Sequence, residues 1–153
     1  MTSNSQLDPF DRKILVELGQ DGRMSVTELA RRVGLSKSPT QSRLQRLIRE
    51  GFIQGFRAVL DPARLDRNHV AFVEVKLTDT TEPALRAFNQ AVLAMPEIEQ
   101  CHMIAGSFDY LLKVRSRDIG CYRRVLGEKI SALPFVGNTA TNVSMEAIKE
   151  SAF

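Results

Sequence analysis

The sequence predicts an α+β protein in two parts, a helical amino-terminal domain and a carboxy-terminal domain of alternating strands and helices. Up to residue 51, apolar residues recur at the three- and four-residue spacing of one helix face. From residue 69 onward, an alternating strand pattern begins, and the later tracts follow the order β-α-β-β-α-β. We therefore assign residues 1–51 to the helical domain, 52–68 to a linker strand and hinge, and 69–153 to the second domain.

The first two helices of the helical domain have clear start and stop signals. One is predicted to begin at Asp8. The next, over residues 25–33, begins at a serine and carries Glu28 three residues later, in the arrangement of a capping box. Gly34 follows, at a point where glycine turns the chain without steric cost. These signals predict two short helices joined to a third by a tight turn.

The third helix is predicted to start with Ser38 as its N-cap and Pro39 at its first helical position, and to end at Gly51. Leu44, Leu47 and Ile48 form its apolar side, and its other side is basic and polar. Such a helix can enter a major groove, where arginine and glutamine side chains reach base edges. The candidate DNA-binding residues are Ser36, Lys37, Ser38, Thr40, Gln41, Ser42, Arg43, Gln45, Arg46 and Arg49. A surface helix pair with solvated arginines is the alternative.

The charge distribution supports the nucleic-acid interpretation. Residues 1–62 contain ten Lys/Arg and seven Asp/Glu, whereas residues 63–153 contain eleven of each, so the whole net charge of +3 lies in the first part. Seven basic residues and one acid lie between Arg31 and Arg57. A local excess of this kind attracts phosphate in a salt-dependent manner.

Composition narrows the class of protein. Hydrophobic content of 43% and charged content of 25% are ordinary for a globular domain, and we identify no signal peptide or membrane-spanning run. We therefore expect a cytoplasmic protein without membrane partners. Cys101 and Cys121 are expected to be packed thiols rather than a disulfide.

After the helices, residues 52–60 are rich in aromatic and branched side chains, which predicts a strand that stops at Asp61 and Pro62. The second domain then has strands over 69–78, 98–105, 108–115 and 136–145, with helices over 82–95 and 118–133. This order is typical of a ferredoxin-like fold, with four antiparallel strands and both helices on one face. The hairpin at Gly106 and Ser107 is predicted to be tight. The helix stripes are Leu85, Phe88, Val92 and Leu93, then Ile119, Tyr122, Val125, Leu126 and Ile130.

The other face of the predicted sheet is uncovered and mixed in character. Its residues are Val70, Phe72, Leu111, Cys101 and Met103, interspersed with Glu74, Lys76, Asp109 and Lys113. A half-apolar open face of this size favours a second copy of the domain as partner, in a symmetric dimer.

These features occur in strings that are similar to one known family. The strings are LDPFDRKILVELGQDGR, SVTELARRVGLS, GFIQGFRAVLDP, QCHMIAG, SFDYLLKVR, YRRVLGEKISALP and SMEAIKE. Because of these strings, the chain resembles the Lrp/AsnC, or feast/famine, transcription regulators from about Leu7 to Glu150. Its second half looks most like a subgroup that regulates proline dehydrogenase genes.

The resemblance implies a winged-helix-like DNA-binding domain followed by a RAM domain that dimerises through its open sheet face. It implies further assembly into tetramers or octamers, binding to double-stranded DNA, no cofactor, and a free amino-acid effector that is proline or leucine-like. The implied function is sequence-specific regulation of amino-acid metabolism. The effector-binding residues that it suggests are Met103, Gly106, Ser107, Phe108, Asp109, Tyr110, Leu111 and Ser144.

A physical reason for this effector site exists. A glycine-containing turn presents backbone amides to a carboxylate, and Asp109 can accept from an ammonium group. The alternative is that Gly106 and Asp109 only shape the hairpin.

The chain departs from the family pattern in two places. Asn142, Val143 and Ser144 replace a tyrosine followed by apolar residues, which limits the transfer of the effector's identity. Ser38-Pro39-Thr40 replaces Thr-Pro-Cys, which limits the transfer of the operator sequence.

Three other functions are alternatives to this interpretation. A small ferredoxin-like enzyme would need a catalytic or metal constellation, and none is identified; His102 and Cys101 adjoin, but neighbouring strand residues point to opposite faces. An RNA-binding module would need aromatic and basic residues together on the open sheet face. An architectural DNA-binding protein without a small-molecule effector remains the alternative to the regulator.

Overall fold

The computed structural model describes residues 7–150, so the outermost residues of the two predicted domains, 1–6 and 151–153, lie outside it. The chain divides into two compact units, one ending at Val59 and one spanning Leu60–Glu150. The first contains helices, and the second contains a sheet with helices. The predicted linker, residues 52–68, spans this division.

The first unit has the three predicted helices: α1 (Pro9–Gln20), α2 (Val26–Val33) and α3 (Lys37–Arg49). Gly34 ends α2 at a φ of 79°, in the left-handed region that glycine adopts without strain. The three helices bury one another's apolar stripes, since none is long enough to be stable alone. Their shared core is Ile14, Leu29, Val33 and Leu47.

Two details of these helix starts differ from the prediction. The N-cap of α3 is Ser36 rather than Ser38, so α3 begins two residues earlier, and the Thr40 hydroxyl donates to the Ser36 carbonyl at 2.9 Å. At α2, Ser25 accepts from the Glu28 amide at 3.2 Å, but no reciprocal bond completes the capping box. The Glu28 carboxylate instead accepts from Arg31 and Arg32 of its own helix.

The predicted strand over residues 52–60 is wrong for the part of the chain that the structure describes: no strand is assigned there. A strand needs a neighbour for its backbone donors and acceptors, and none of the four strands of the second unit pairs with this segment. Its apolar side chains Phe56 and Val59 are exposed.

The second unit has the predicted ferredoxin-like architecture. Its elements are β1 (His69–Leu77), α4 (Glu82–Leu93), β2 (Ile98–Met103), β3 (Tyr110–Ser116), α5 (Ile119–Arg124) and β4 (Val136–Val143), with a π-helical turn, Val125–Ile130, continuing α5. The sheet is antiparallel in the order β2-β3-β1-β4. Both helices pack on one face, where Phe88, Val92, Tyr122 and Ile130 meet alternate residues of β1 and β3.

Four residues lie on a different face from the predicted one. Leu93 ends α4 and is 86% exposed, because the buried stripe of that helix is the narrower Ala84-Phe88-Val92 row. Ile119 opens α5 and is 52% exposed. Cys101 and Met103 pair with the core residues Leu112 and Tyr110, so they lie on the helix-covered face rather than the open one.

The β2–β3 hairpin is also longer than predicted. Met103 pairs with Tyr110, which leaves residues 104–109 as the connection instead of a two-residue turn. Within it the Ile104 amide donates to the Asp109 carbonyl at 2.9 Å and closes the loop.

Candidate nucleic-acid interface and effector segment

The outer face of α3 is exposed over its whole length and is polar except at its edge, where Ile48, predicted to lie on the apolar side, is 45% exposed. Exposed positions recur at three- and four-residue spacing, so they fall on one side of the helix. Its amino end adds two exposed residues, Ser36 and Lys37. We call this surface the α3 outer face; its members are Ser36, Lys37, Ser38, Gln41, Ser42, Gln45 and Arg49. Serine, glutamine and arginine are side chains that contact bases and phosphates.

Two predicted DNA-binding arginines face α1 instead. Arg43 donates to Asp8 at 2.5 Å and to Asp11 at 2.9 Å, and Arg46 donates to Asp11 at 2.6 Å. We call these four residues the Asp–Arg clamp. The Asp11 side chain is only 1% exposed, while those of Arg43 and Arg46 are 28% and 33% exposed.

The electrostatics of the clamp favour its charged form. Burial alone would raise the pKa of Asp11, but the bonds from Arg46, from the Asp8 amide and from Arg43 outweigh it and hold that pKa below its usual value. The bond from the Asp11 amide, followed by that from Arg43, lowers the pKa of Asp8. A reciprocal capping box, in which each of the two aspartates accepts from the other's amide, fixes both carboxylates at the start of α1.

The clamp was not predicted from the sequence. Its partners lie 32 to 35 residues apart, so no local periodicity links them. The available signals were the paired aspartates of the capping box and two arginines one helical turn apart.

A third predicted DNA-binding residue, Thr40, is fully buried. Its hydroxyl donates to the Ser36 carbonyl within the first turn of α3, and its side chain is packed inside the unit. Thr40 therefore presents no surface to DNA, and the α3 outer face without it is the coherent candidate interface.

Other positive charge of this unit is partly neutralised. Glu28 accepts from Arg31 at 2.6 Å and from Arg32 at 2.9 Å, and Arg32 also donates to Glu17 at 2.9 Å. The bond from Arg31 and then that from Arg32 lower the pKa of Glu28 to about 2. The local excess of basic residues thus overstates the charge that is available to phosphate.

The effector segment predicted from the resemblance centres on the loop 104–109. The amides of Ala105, Gly106, Ser107 and Phe108 donate no hydrogen bond to any residue within 7–150. The Ser107 carbonyl accepts from Lys76 at 3.1 Å, which ties the loop to β1. This loop can offer backbone donors to a carboxylate.

Asp109 has a structural role in this loop. Its carboxylate accepts from the Leu77 amide at 2.7 Å, and its own amide donates to the Val75 carbonyl at 2.9 Å. These bonds attach the hairpin to the end of β1, where the ladder between β1 and β4 shifts register after Lys76. An ammonium group would share a carboxylate that is already engaged.

The remaining predicted effector residues do not converge on one surface. Tyr110 is buried on the helix-covered face, whereas Leu111 is half-buried and points to the open face. The Ser144 amide donates to the carbonyl of Val70, at the start of β1, whereas Asp109 bonds the end of β1. At about 3.3 Å per residue, Ser144 and the loop are roughly 20 Å apart within one chain.

Residues 7–150 contain no group of three or more His, Cys, Asp or Glu side chains arranged to hold a metal ion. Cys101 and His102 point to opposite faces of β2, as expected, since Cys101 pairs with Leu112 and His102 pairs with Leu111. Within the same residues, no helix is long and apolar enough to cross a bilayer.

Comparison with protein families matches both units. A profile described as winged helix-turn-helix DNA-binding matches residues 7–54, and one described as Lrp/AsnC ligand binding domain matches residues 70–152.

Curated relatives match along nearly the full chain. The chain is 64% identical over 144 residues to a proline dehydrogenase transcriptional activator from Rhizobium radiobacter, covering 94% of this chain and 92% of the relative. It is 48% identical over 145 residues to the leucine-responsive regulatory protein of Escherichia coli K12, covering 95% and 88%. Both relatives are regulators by name, in agreement with the expectation that this chain is not an enzyme.

Solved structures agree with the fold. A transcriptional regulator from Neisseria meningitidis in complex with L-Met superposes with a TM-score of 0.90 at 29% identity, covering 95% of this chain and 94% of that one. An AsnC family transcriptional regulator from Agrobacterium tumefaciens superposes with a TM-score of 0.91 at 31% identity, covering 96% and 95%.

Proposed function

Because this chain belongs to the Lrp/AsnC family of DNA-binding transcription regulators, we propose that it reads duplex DNA with the α3 outer face under control of a free amino acid. The observation that carries the proposal is that this face is continuous, polar and exposed in a helix-turn-helix unit. The clamp holds Arg43 and Arg46 against α1, which supports a role for them in positioning α3 rather than in reading bases.

Each part of the α3 outer face suits a role on DNA. Gln41 and Gln45 have the bidentate amide that pairs with adenine, and Arg49 has the guanidinium that pairs with guanine or phosphate. Ser36, Lys37 and Ser38, at the amino end of α3, are suited to phosphate contacts. Ser42 lies between these groups on the same side.

The amino-acid effector is supported by the amides of residues 105–108, which donate no hydrogen bond within residues 7–150, and by the ligand-binding domain that the second unit matches. Named relatives activate proline dehydrogenase transcription or respond to leucine, and a structural neighbour is a complex with L-Met. All three amino acids are neutral. We infer a neutral effector, with proline and leucine as the first to test.

Self-association through the open sheet face belongs to the same proposal. Glu150 bonds Lys113 and Arg115 there, and Arg115 also bonds Glu99 at 2.5 Å. Because these charges compensate one another within one chain, Phe72 and Leu111 are left as the apolar groups for a second copy. We propose a dimer that assembles into a tetramer or octamer on double-stranded DNA, in the cytoplasm.

One observation favours the alternative of an architectural DNA-binding protein without an effector. Asp109, the carboxylate that the effector site would use for an ammonium group, already holds the Leu77 amide. The test of the proposal is therefore designed to separate DNA reading from amino-acid response.

The test is a gel-shift titration on the DNA upstream of the protein's own gene, at several salt concentrations, with and without each of the twenty amino acids. Arg49→Ala is expected to weaken binding and, through the loss of one phosphate contact, to reduce the slope of log K against log salt by about one. Arg123→Ala, an exposed arginine of α5, is the matched control and should leave the slope unchanged.

Three outcomes decide between the functions. Specific retardation that one amino acid alters supports the full proposal. Salt-dependent retardation of any duplex, indifferent to all twenty amino acids, supports the architectural alternative. An Arg49→Ala variant that binds like the wild type would remove the α3 outer face from the interface.

A further inference from the structure

One arginine side chain joins three separate segments of the second unit. Arg115 lies on β3, and its side chain is 8% exposed, so its charge is almost fully withdrawn from water. Each guanidinium nitrogen bonds a different segment: Nε donates to Glu99 of β2 at 2.5 Å, Nη2 donates to Glu150 at 3.0 Å, and Nη1 donates to the Arg67 carbonyl at 3.1 Å. The two carboxylates already compensate the buried charge, so the bond to Arg67 is not needed for that purpose.

Arg67 belongs to the segment that precedes β1. We call residues 61–68 the hinge segment. The Arg67 amide donates to the Pro62 carbonyl at 2.8 Å, which folds the segment into a compact turn. Leu65, its largest apolar residue, is 52% exposed, so the turn buries little against the sheet. Within the part of the chain that the structure describes, the bond from Arg115 is the one side-chain hydrogen bond that joins the hinge segment to any residue outside it.

This bond determines how much loose chain separates the hinge segment from the first unit. In the first unit, the Ile53 amide donates to the Leu47 carbonyl at 3.2 Å, and the Phe56 ring lies beside Gly22. Residues 57–60 are all exposed and form no backbone hydrogen bond within the described chain. With the hinge segment anchored, the tether is these four residues, which span at most about 14 Å. With the hinge segment released, the tether grows to twelve residues, which span at most about 42 Å.

The length of the tether affects how two copies of the protein read one duplex. A long flexible tether lets the second reading unit reach half-sites at many spacings, whereas a short tether restricts the spacing. Half-sites that differ in spacing by a fraction of a helical turn face different sides of the duplex, so a restricted tether distinguishes them. An anchor on the hinge segment therefore affects specificity without contacting DNA.

We propose that Arg115 is a positioning residue, which anchors the hinge segment to β3 and thereby restricts the half-site spacing that a pair of copies accepts. This inference rests on the proposed function, because it requires two copies that read one duplex. It concerns neither the α3 outer face nor the effector segment, so it is tested without an amino acid.

Arg115→Lys separates the two roles of this side chain. Its single ammonium keeps the positive charge beside Glu99 and Glu150, but it lacks the fork of nitrogens that also reaches the Arg67 carbonyl. Glu150→Gln is the matched control, because it removes the charge of one partner and leaves the bond to Arg67 in place.

Trypsin cleavage of the full chain measures whether the hinge segment is released. Cleavage after Arg64 and Arg67, both exposed, should be about fivefold or more faster in Arg115→Lys, since a charged donor to the hinge segment is lost. Cleavage after Arg57, in the tether, and after Arg123, in α5, should be unchanged. The control variant should resemble the wild type at all four sites. Equal acceleration at all four sites would indicate a general loss of stability and would overturn the anchor.

A gel shift measures the consequence for DNA. The probe is the shortest duplex upstream of the protein's own gene that the wild type retards, either unaltered or with 5 bp, about half a helical turn, inserted at its centre. The insertion should weaken binding by the wild type and the control at least about tenfold, and binding by Arg115→Lys at least about threefold less than that. Weaker self-association in a variant would lower binding to both duplexes by the same factor, so the ratio of the two affinities reports spacing alone.

Failure of this inference is distinguishable from failure of the proposed function. Faster cleavage of the hinge segment in Arg115→Lys, together with the smaller affinity ratio, supports the inference. Unchanged hinge cleavage, an unchanged ratio, or a wild type that tolerates the insertion overturns it and leaves the regulator intact. If the wild type retards no duplex specifically, the proposed function is refuted, and trypsin cleavage alone decides whether Arg115 anchors the hinge segment.

Discussion

At the scale of single residues, Asp11 joins the first and third helices of the DNA-binding unit. Its carboxylate is nearly inaccessible and holds two arginines of α3, so the orientation of the α3 outer face depends on it. Removing one of these arginines would leave a buried carboxylate short of a partner and would lower the stability of the folded state. Both arginines therefore bind Asp11 instead of pointing into solvent.

Replacing Asp11 by Asn should therefore destabilise the protein. Because the charge-assisted bonds to Arg43 and Arg46 are lost, we expect the free energy of unfolding to fall by about 1–3 kcal/mol. Urea denaturation followed by circular dichroism measures this. Glu50→Gln, an exposed acid at the end of α3, is the control and should change stability by less than about 0.5 kcal/mol.

The same variant has a pH signature. The folded pKa of Asp11 is lowered, so its contribution is fully present above the unfolded value of about 4 and is lost as pH falls through the folded pKa. The stability difference between wild type and Asp11→Asn should thus be constant near neutral pH and shrink below about pH 4. A difference that persists unchanged at low pH would contradict the ionic role of Asp11.

At the scale of elements, the turn between α2 and α3 depends on Gly34. Its φ of 79° costs an alanine roughly 1 kcal/mol, although a side chain there would meet no neighbouring atom within 4 Å. Gly34→Ala should lower stability by that amount, as measured by thermal or urea unfolding. Gly19→Ala is the matched control, because Gly19 lies inside α1 with open space around it, and should raise stability by up to about 1 kcal/mol.

Opposite signs for these two substitutions would establish that backbone conformation, and not helix propensity in general, limits the turn. Equal losses would indicate a packing role for Gly19 that its open surroundings do not suggest.

At the scale of the whole molecule, self-association is expected to depend on the open sheet face. Phe72→Asp replaces the central apolar side chain of this face with a carboxylate that a second copy would have to desolvate; its neighbours across the sheet are Asn142 and Lys113, and Lys113 is already paired with Glu99 and Glu150. If this face is the dimer interface, the substitution should weaken association by at least 2 kcal/mol, about thirtyfold in Kd, as measured by sedimentation equilibrium. Ile119→Asp, on the helix-covered side, should leave association unchanged.

Much of the fold was predictable because its signals are local. The alternation in β1, the N-cap residues of α1 and α2 and the glycine after α2 each depend on a few neighbouring residues, and the structure confirms them. The starting residue of α3 was missed because Ser36 and Ser38 both resemble N-caps. The strand over residues 52–60 was wrongly predicted because side-chain preference cannot supply a hydrogen-bonding neighbour.

The candidate sites were less predictable. Leu93 and Ile119 fit a helical stripe in sequence, but which face of a helix is buried depends on the sheet against which it packs. Likewise, Arg43 and Arg46 have the residue type of DNA readers, and only the approach of α1 shows that they are held by aspartates.

The sequence by itself determined the two-part α+β organisation, the order of elements and the family, because periodicity, caps and shared strings are properties of short stretches of chain. Tertiary structure alone decided the role of each side chain within that plan. It buried Thr40, engaged Asp109 with β1, and held Arg43 and Arg46 against Asp11. The physical reason is that burial and hydrogen bonding depend on residues far apart in sequence, and their proximity exists only in the folded chain.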